Sequence, residues 1–214
     1  PYGVDGAPVL WVNDPDFNGE SISFSGANDF AYVYFGMRRG GRNYYAFDIT
    51  NKTAPTLLFE IKGGVGDFAD LGQTWSKPTV TYINMEGYKN RPVLIFGAGY
   101  DTNKDNVIRT DDNEGRGIYI VDAQTGNKIW ALTPTENGFK GKHSIAADVS
   151  VLDSDYDGFV DRLYATDTGG DIWRIDMPSE KPNSSDSPWT HFKLASLGSS
   201  LSTQDRRFFY KPLI

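Results

Sequence analysis

The residue types best suited to chemistry in this chain fall in one stretch, Asp153-Ser-Asp155-Tyr-Asp157-Gly158-Phe159-Val-Asp161. Carboxylates occupy its positions 1, 3, 5 and 9, glycine stands at 6, and Phe159 at 7 has a carbonyl that can point inward. Calcium is a hard cation that takes six to eight oxygens at about 2.3–2.6 Å, and aspartates at alternate residues let a tight loop aim several of them at one point while glycine relieves the turn. Without a cation, four carboxylates so close together repel one another. The spacing therefore predicts a calcium loop ligated by the side chains of Asp153, Asp155, Asp157 and Asp161 and by the carbonyl of Phe159. The competing reading is a solvated acidic turn. Magnesium fits less well, because it keeps several waters and takes few protein ligands. The loop is not an EF-hand: it has Asp at position 9, no Glu at 12, and flanking segments at 149–152 and 162–166 that read as strands.

Two weaker acidic stretches accompany it. Asp14-x-Asp16-x-Asn18-Gly19 is interrupted by Pro15 and has Ile22 at position 9, so it reads as a polar turn. Asp101-x-Asn103-x-Asp105, followed by Asp111, Asp112 and Glu114, reads as a solvated loop in a long insertion. The spacing alone leaves open a second ion at either.

Catalytic constellations are sparse. There is no cysteine, which removes thiolate nucleophiles, zinc–thiolate sites and disulfides together. The two histidines, His143 and His191, have no Ser/Asp pattern beside them; His143 is expected to hydrogen-bond structurally, and His191, in an alternating strand, to face solvent or pack on a neighbour. The glycines of 36–41 read as turn residues rather than a phosphate cradle. The expectation is a protein that is not an enzyme. Trp75, Trp130, Trp173 and Trp189 are candidates for a ligand platform; Trp130 and Trp173 lie on strands and are expected to pack between elements, and Trp75 and Trp189, beside insertions, to be exposed.

The elements that position these residues follow from composition and repetition. With 214 residues, 39% apolar, 14% aromatic, 23 Gly and 11 Pro, the chain favours many short strands around a sizeable core. A net charge of −7 argues against a nucleic-acid partner and suits a cation better. No stretch has the roughly 18–20 apolar residues of a membrane-spanning helix. The amino-terminal Pro-Tyr-Gly-Val carries no targeting signal, and the chain is expected to start inside a larger protein or after processing.

Three segments superpose: Gly41-Arg-Asn-Tyr-Tyr-Ala-Phe-Asp48, Gly115-Arg-Gly-Ile-Tyr-Ile-Val-Asp122 and Gly169-Gly-Asp-Ile-Trp-Arg-Ile-Asp176. Each is a turn glycine, a strand and an Asp able to cap the next turn. Strands are expected before them at 32–36, 93–97 and 162–166, after them at 56–60, 128–132 and 190–194, and upstream again at 7–11, 77–81 and 144–149. The expected fold is all-β, a β-propeller of four-stranded antiparallel blades at about 7–62, 75–134 and 143–196. Lys211-Pro212, echoing Lys77-Pro78, would open another blade over 206–214. Insertions fall at 62–76, 98–116 and 177–189. Because a propeller needs at least about four blades to close, the chain is expected to be a piece of a larger ring whose remaining blades are its first partners.

The chain resembles the propeller domain of the PilC/PilY family, the type IV pilus tip-associated adhesins and biogenesis factors of Gram-negative bacteria. The likeness runs through Tyr34-Phe-Gly-Met-Arg-Arg-Gly-Gly-Arg-Asn-Tyr-Tyr-Ala-Phe-Asp48, Trp75-Ser-Lys-Pro78, Phe96-Gly-Ala-Gly-Tyr-Asp101, Gly117-Ile-Tyr-Ile-Val-Asp-Ala-Gln-Thr-Gly126 and, most specifically, 153–176. The resemblance implies Ca²⁺ on the 153–161 loop, and export to a pilus tip, cell surface or outer membrane. It also implies minor pilins and a host-cell surface as partners, and calcium-linked control of pilus extension and retraction alongside adhesion. Two rivals come from other classes: a quinone-dependent dehydrogenase propeller, which would need a polar central cavity holding cofactor and calcium together, and a carbohydrate-binding propeller.

Overall fold

A computed structural model describes residues 3–15, 29–106, 108 and 110–214. Among these residues twelve strands form three separate four-stranded sheets, each a meander in chain order with every neighbour antiparallel. The first blade is β1 (Val9–Asn13), β2 (Phe30–Gly36), β3 (Tyr44–Asp48) and β4 (Thr56–Ile61). The second is β5 (Thr79–Thr81), β6 (Val93–Gly97), β7 (Ile118–Asp122) and β8 (Lys128–Leu132). The third is β9 (Ser150–Leu152), β10 (Arg162–Thr166), β11 (Asp171–Asp176) and β12 (Thr190–Ser196). Among the described residues the helical content is four 3-10 turns of three or four residues. Each blade carries a register shift between its third and fourth strands, at Ala46/Phe47, Ile120/Val121 and Ile172/Trp173; a bulge there increases the local twist of the last strand.

The repeated aspartate caps as expected in two blades. Asp48 Oδ1 accepts from Thr50 N at 2.9 Å, and Asp122 Oδ1 accepts from both Gln124 N and Thr125 N at 2.9 Å. In the third blade Asp176 Oδ1 accepts instead from Arg174 Nε at 2.7 Å.

Burial shows how the blades stack. All ten residues of β6 and β7 are buried, because the second blade has a neighbour on each face. Alternate side chains leave a strand on opposite faces. Thus Val93 and Ile95 join Leu163, Trp173 and Ile175 of the third blade in one cluster, and Leu94 and Phe96 join Tyr34, Tyr44 and Ala46 of the first blade in the other. The first and third blades each have one sandwiched face, and exposed apolar residues remain on both, including Leu10 and Leu57 on the first and Leu194 on the third.

A buried hydroxyl ties the first blade to the second: Tyr34 donates to the carbonyl of Ala123 at 2.8 Å, and burial pushes its phenol well above the usual tyrosine range, so it stays a neutral donor. Tyr34→Phe keeps the ring and orphans that carbonyl. The expected cost is about 1–1.5 kcal/mol, read as a lower urea midpoint at unchanged slope; no shift would mean that the carbonyl finds another donor.

Two segments depart from the expected strands. Residues 144–149 are not a strand, and the third blade opens at Ser150 instead. Ile145 gives its N–H to Gly115 O at 2.8 Å and takes Gly99 N at 3.0 Å, Ser144 N donates to Asp112 Oδ2 at 2.6 Å, and Ser144 O takes Thr168 N at 2.9 Å, so this backbone is committed to the second blade's insertion and to the turn after β10. Residues 205–214 carry no strand. They run alongside the third blade, where Phe208 N donates to Asp167 O at 3.2 Å, Thr166 Oγ1 to Tyr210 O at 2.9 Å and Ser150 Oγ to Pro212 O at 2.5 Å.

Candidate metal centre

The 153–161 loop joins β9 to β10, whose register pairs Leu152 with Arg162. Asp161 N closes its base on Leu152 O at 3.0 Å. Two residues with left-handed backbone, Tyr156 at φ 64° and Gly158 at φ 91°, fold the chain back on itself. Tyr156 is 91% exposed, so its side chain leaves the loop interior to the aspartates.

Backbone N–H groups aim the carboxylates. Asp153 accepts from Asp157 N at 3.2 Å through Oδ1 and from Gly158 N at 2.9 Å through Oδ2. Asp155 Oδ1 accepts from Asp157 N at 3.3 Å, and Asp157 Oδ1 from Phe159 N at 2.8 Å. One oxygen from each of Asp153, Asp155 and Asp157 lies within 4.8 Å of the others. Desolvation works to raise the Asp153 carboxyl, but hydrogen bonds from the Gly158, Tyr156 and Asp157 backbone outweigh it and hold the group below the usual range. Three converging carboxylate oxygens are a hard donor set that fits a hard divalent cation.

Of the residues expected to act together, the loop brings Asp153, Asp155 and Asp157 into one cluster. Asp161 is turned elsewhere: its Oδ1 accepts from Ser154 N at 3.2 Å and its Oδ2 from Ser154 Oγ at 2.5 Å. Phe159 is half-buried and engages the cluster through its N–H. In the weaker stretch at 14–19, Asp16, Asn18 and Gly19 lie outside the described residues.

The 101–114 stretch is not the solvated loop expected of it. Asp101 and Asp112 are buried. Asp101 accepts from the backbone of Asn103 at 2.9 Å, Asn113 at 2.7 Å and Glu114 at 3.3 Å. The buried Lys104 Nζ lies 3.1 Å from Asp112 Oδ1, 2.9 Å from His143 Nδ1 and 2.8 Å from Thr110 O. Asp112 Oδ2 also takes Thr168 Oγ1 at 3.2 Å, so this network joins the second blade's insertion to the third blade. Nothing in its residue spacing marked it; the one available signal was a lysine embedded in an acidic insertion. His143 has the structural role expected of it, and His191 packs 6.1 Å from Phe139.

The tryptophans divide differently from expectation. Trp130 and Trp173 are buried, but Trp75 and Trp189 are half-buried rather than exposed. Trp75 stacks on Tyr100 at 4.7 Å under Arg38 and Arg39, and Trp189 stands edge-on to Trp130 at 5.1 Å.

Three stacked four-stranded antiparallel meanders, with an acidic hairpin loop inside the third, define a β-propeller module. The family described as the PilY1 beta-propeller domain matches residues 1–211, and the chain belongs to it. Type IV pilus biogenesis factor PilY1 of Pseudomonas aeruginosa strain UCBPP-PA14 is 30% identical over 178 residues, which are 82% of this chain and 13% of that protein. Its counterpart in strain PAO1 is 28% identical over 185 residues, 86% of this chain and 14% of that protein. A PilY1 homolog of Xylella fastidiosa is 28% identical over 152 residues, 69% of this chain and 10% of that protein. The crystal structure of the Pseudomonas aeruginosa PilY1 C-terminal domain superposes with a TM-score of 0.65 at 24% identity, over 98% of this chain and 41% of that one, which supports the fold. The chain thus spans about one seventh of the two Pseudomonas relatives' length.

Proposed function

We propose that this chain is a calcium-binding, non-catalytic propeller module of an exported type IV pilus biogenesis factor. The observation that carries the reading is the convergence of Asp153, Asp155 and Asp157 within 4.8 Å on a hairpin loop. Asp153, Asp155 and Asp157 would hold Ca²⁺ with the Phe159 carbonyl, and Asp161 would complete the set on leaving Ser154. When bound, the ion neutralises the crowded carboxylates and ties the loop's two ends together. The protein's own contribution is to pre-aim three of the ligands with backbone donors.

Membership of the PilY1 family supports a role for the module in pilus biogenesis. The roles beyond that are control of extension and retraction, adhesion, and contact with minor pilins or a host-cell surface at the pilus tip, cell surface or outer membrane. They rest on the family likeness and on a loop whose order would follow calcium.

Calorimetric titration of the wild-type chain with Ca²⁺ is expected to show one site. Asp155→Ala is expected to weaken it about tenfold or more, a loss of about 1.4 kcal/mol, while the fold survives because the residue is exposed. Saturation at 100 times Kd should stabilise the wild type by about 2.7 kcal/mol and raise its Tm. Equal affinities in the two proteins, or no heat in either, would reduce the loop to a solvated turn. In the full-length protein, unchanged piliation on Asp155→Ala would confine the ion to a structural role.

A further inference from the structure

We propose that the groove between the second and third blades is a binding site for a neutral saccharide unit, separate from the calcium loop. A cavity of about 300 Å³ opens there, near the lower end of small-molecule sites. Its walls include Trp130 on β8, Thr190 and His191 on β12, Asn137 from the loop after β8, and Asn183 and Trp189 from the insertion before β12. Both blades belong to this chain, so the groove is formed without the rest of the ring.

The two indoles meet at 64° with centroids 5.1 Å apart, making an apolar corner. Trp130 is only 8% exposed. Trp189 is pinned, donating from Nε1 to Ser179 O at 2.7 Å and from its backbone N–H to Pro182 O at 2.9 Å. With Trp130 behind it, the half-buried Trp189 indole is the part of that corner that can meet the C–H face of a pyranose ring, and being pinned it does so at little entropic cost.

The polar groups around that corner are uncharged side chains that can both donate and accept. Asn137 gives Nδ2 to Ala131 O at 2.6 Å, which leaves its Oδ1 as an acceptor; its backbone sits at φ 56°, a left-handed conformation that Asn tolerates better than most residues. Asn183 is exposed at the rim. Burial, followed by the nearby charge of Lys140, pushes the His191 imidazole below its ordinary value, so at neutral pH it offers one donor and one acceptor. The lining includes no Asp, Glu, Lys or Arg, a set that matches sugar hydroxyls and places no counter-charge in the cavity wall itself. The larger cavity beside Trp75 is different in kind: Lys77 and Lys211 line it, and the Trp75 ring there is already engaged by Tyr100, Arg38 and Arg39.

The test uses the intact chain in EDTA, with D-glucose, D-galactose, D-mannose, L-fucose and N-acetyl-D-glucosamine as probes and D-glucuronate as the charged control. Binding is read by saturation-transfer NMR and by tryptophan fluorescence. At least one neutral sugar is expected to bind saturably with Kd of about 1–10 mM, and glucuronate more weakly. Asn183→Ala, at a position whose side chain bears no structural load, should weaken binding about fivefold or more, and Trp189→Ala should abolish it. Asp155→Ala should leave it unchanged. Circular dichroism checks each fold, and if Trp189→Ala unfolds, Asn183→Ala decides. Saturable binding of a neutral sugar with these responses supports the site. No saturable binding up to about 100 mM, tighter binding of glucuronate than of every neutral sugar, indifference to Asn183→Ala, or loss on Asp155→Ala overturns it.

Discussion

Lys104→Ala is expected to lower the unfolding free energy by about 3–5 kcal/mol, the range found when one member of a buried ion pair is removed. The Lys104 and Asp112 side chains are 2% and 0% exposed, and the ion pair with Lys104 stands in for the hydrogen bond that buried Asp112 Oδ1 lacks. Alanine would therefore leave a carboxylate oxygen uncompensated in the interior, although Ser144 N and Thr168 Oγ1 still hold its partner Oδ2. It would also strip the donor from His143 Nδ1 and from the Thr110 carbonyl. The matching control is Lys142→Ala, whose ion pair with Asp111 at 3.0 Å is 68% and 59% exposed; an exposed pair contributes about 0–1 kcal/mol. Urea unfolding followed by tryptophan fluorescence measures both. A loss for Lys104→Ala as small as that for Lys142→Ala would show that the network does not hold the second and third blades together.

Gly117→Ala is expected to cost about 3 kcal/mol or more, from two penalties at one atom. Gly117 sits at φ 123°, where a side chain is strained, and an added Cβ would lie 1.9 Å from the carbonyl oxygen of Leu132. Its next contacts, Leu132 C at 2.9 Å and Thr133 Cα at 3.1 Å, are backbone too, so no side-chain rotation relieves the clash. Moving Gly117 instead would disturb the bond from Ala98 N to its carbonyl at 2.8 Å. Gly138→Ala separates the two penalties: it has φ 65° and nothing within 4 Å of the new Cβ. It should show backbone strain alone, about 1–2 kcal/mol. Thermal or urea unfolding giving the two variants equal losses would mean that β7 and β8 move apart freely.

Local chemistry made much of the fold legible. Apolar and aromatic runs between glycine turns place strands whose pairing in chain order needs only short connections, so β6 at Val93–Gly97, β8 at Lys128–Leu132 and β10 at Arg162–Thr166 stand where the sequence puts them. The same signal misleads at 144–149, since an apolar run cannot say whether a backbone will find a ladder partner. There the partners were Gly99, Asp112 and Gly115 in an insertion and Thr168 in the turn after β10, none of them in a strand.

The blade repeat and the carboxylate spacing at 153–161 are written along the chain, because both depend on residues a few positions apart. Tertiary structure decided which face of β6 meets which blade, since a continuous apolar run carries no such label. It decided that Asp161 rests on Ser154, a competition settled only when the hairpin closes. It also buried Lys104, whose partner His143 is 39 residues away, and set Trp189 against Trp130. The physical reason is desolvation: whether a charge or an indole is solvated or enclosed depends on what the folded chain brings over it, and that cover comes from residues distant in sequence.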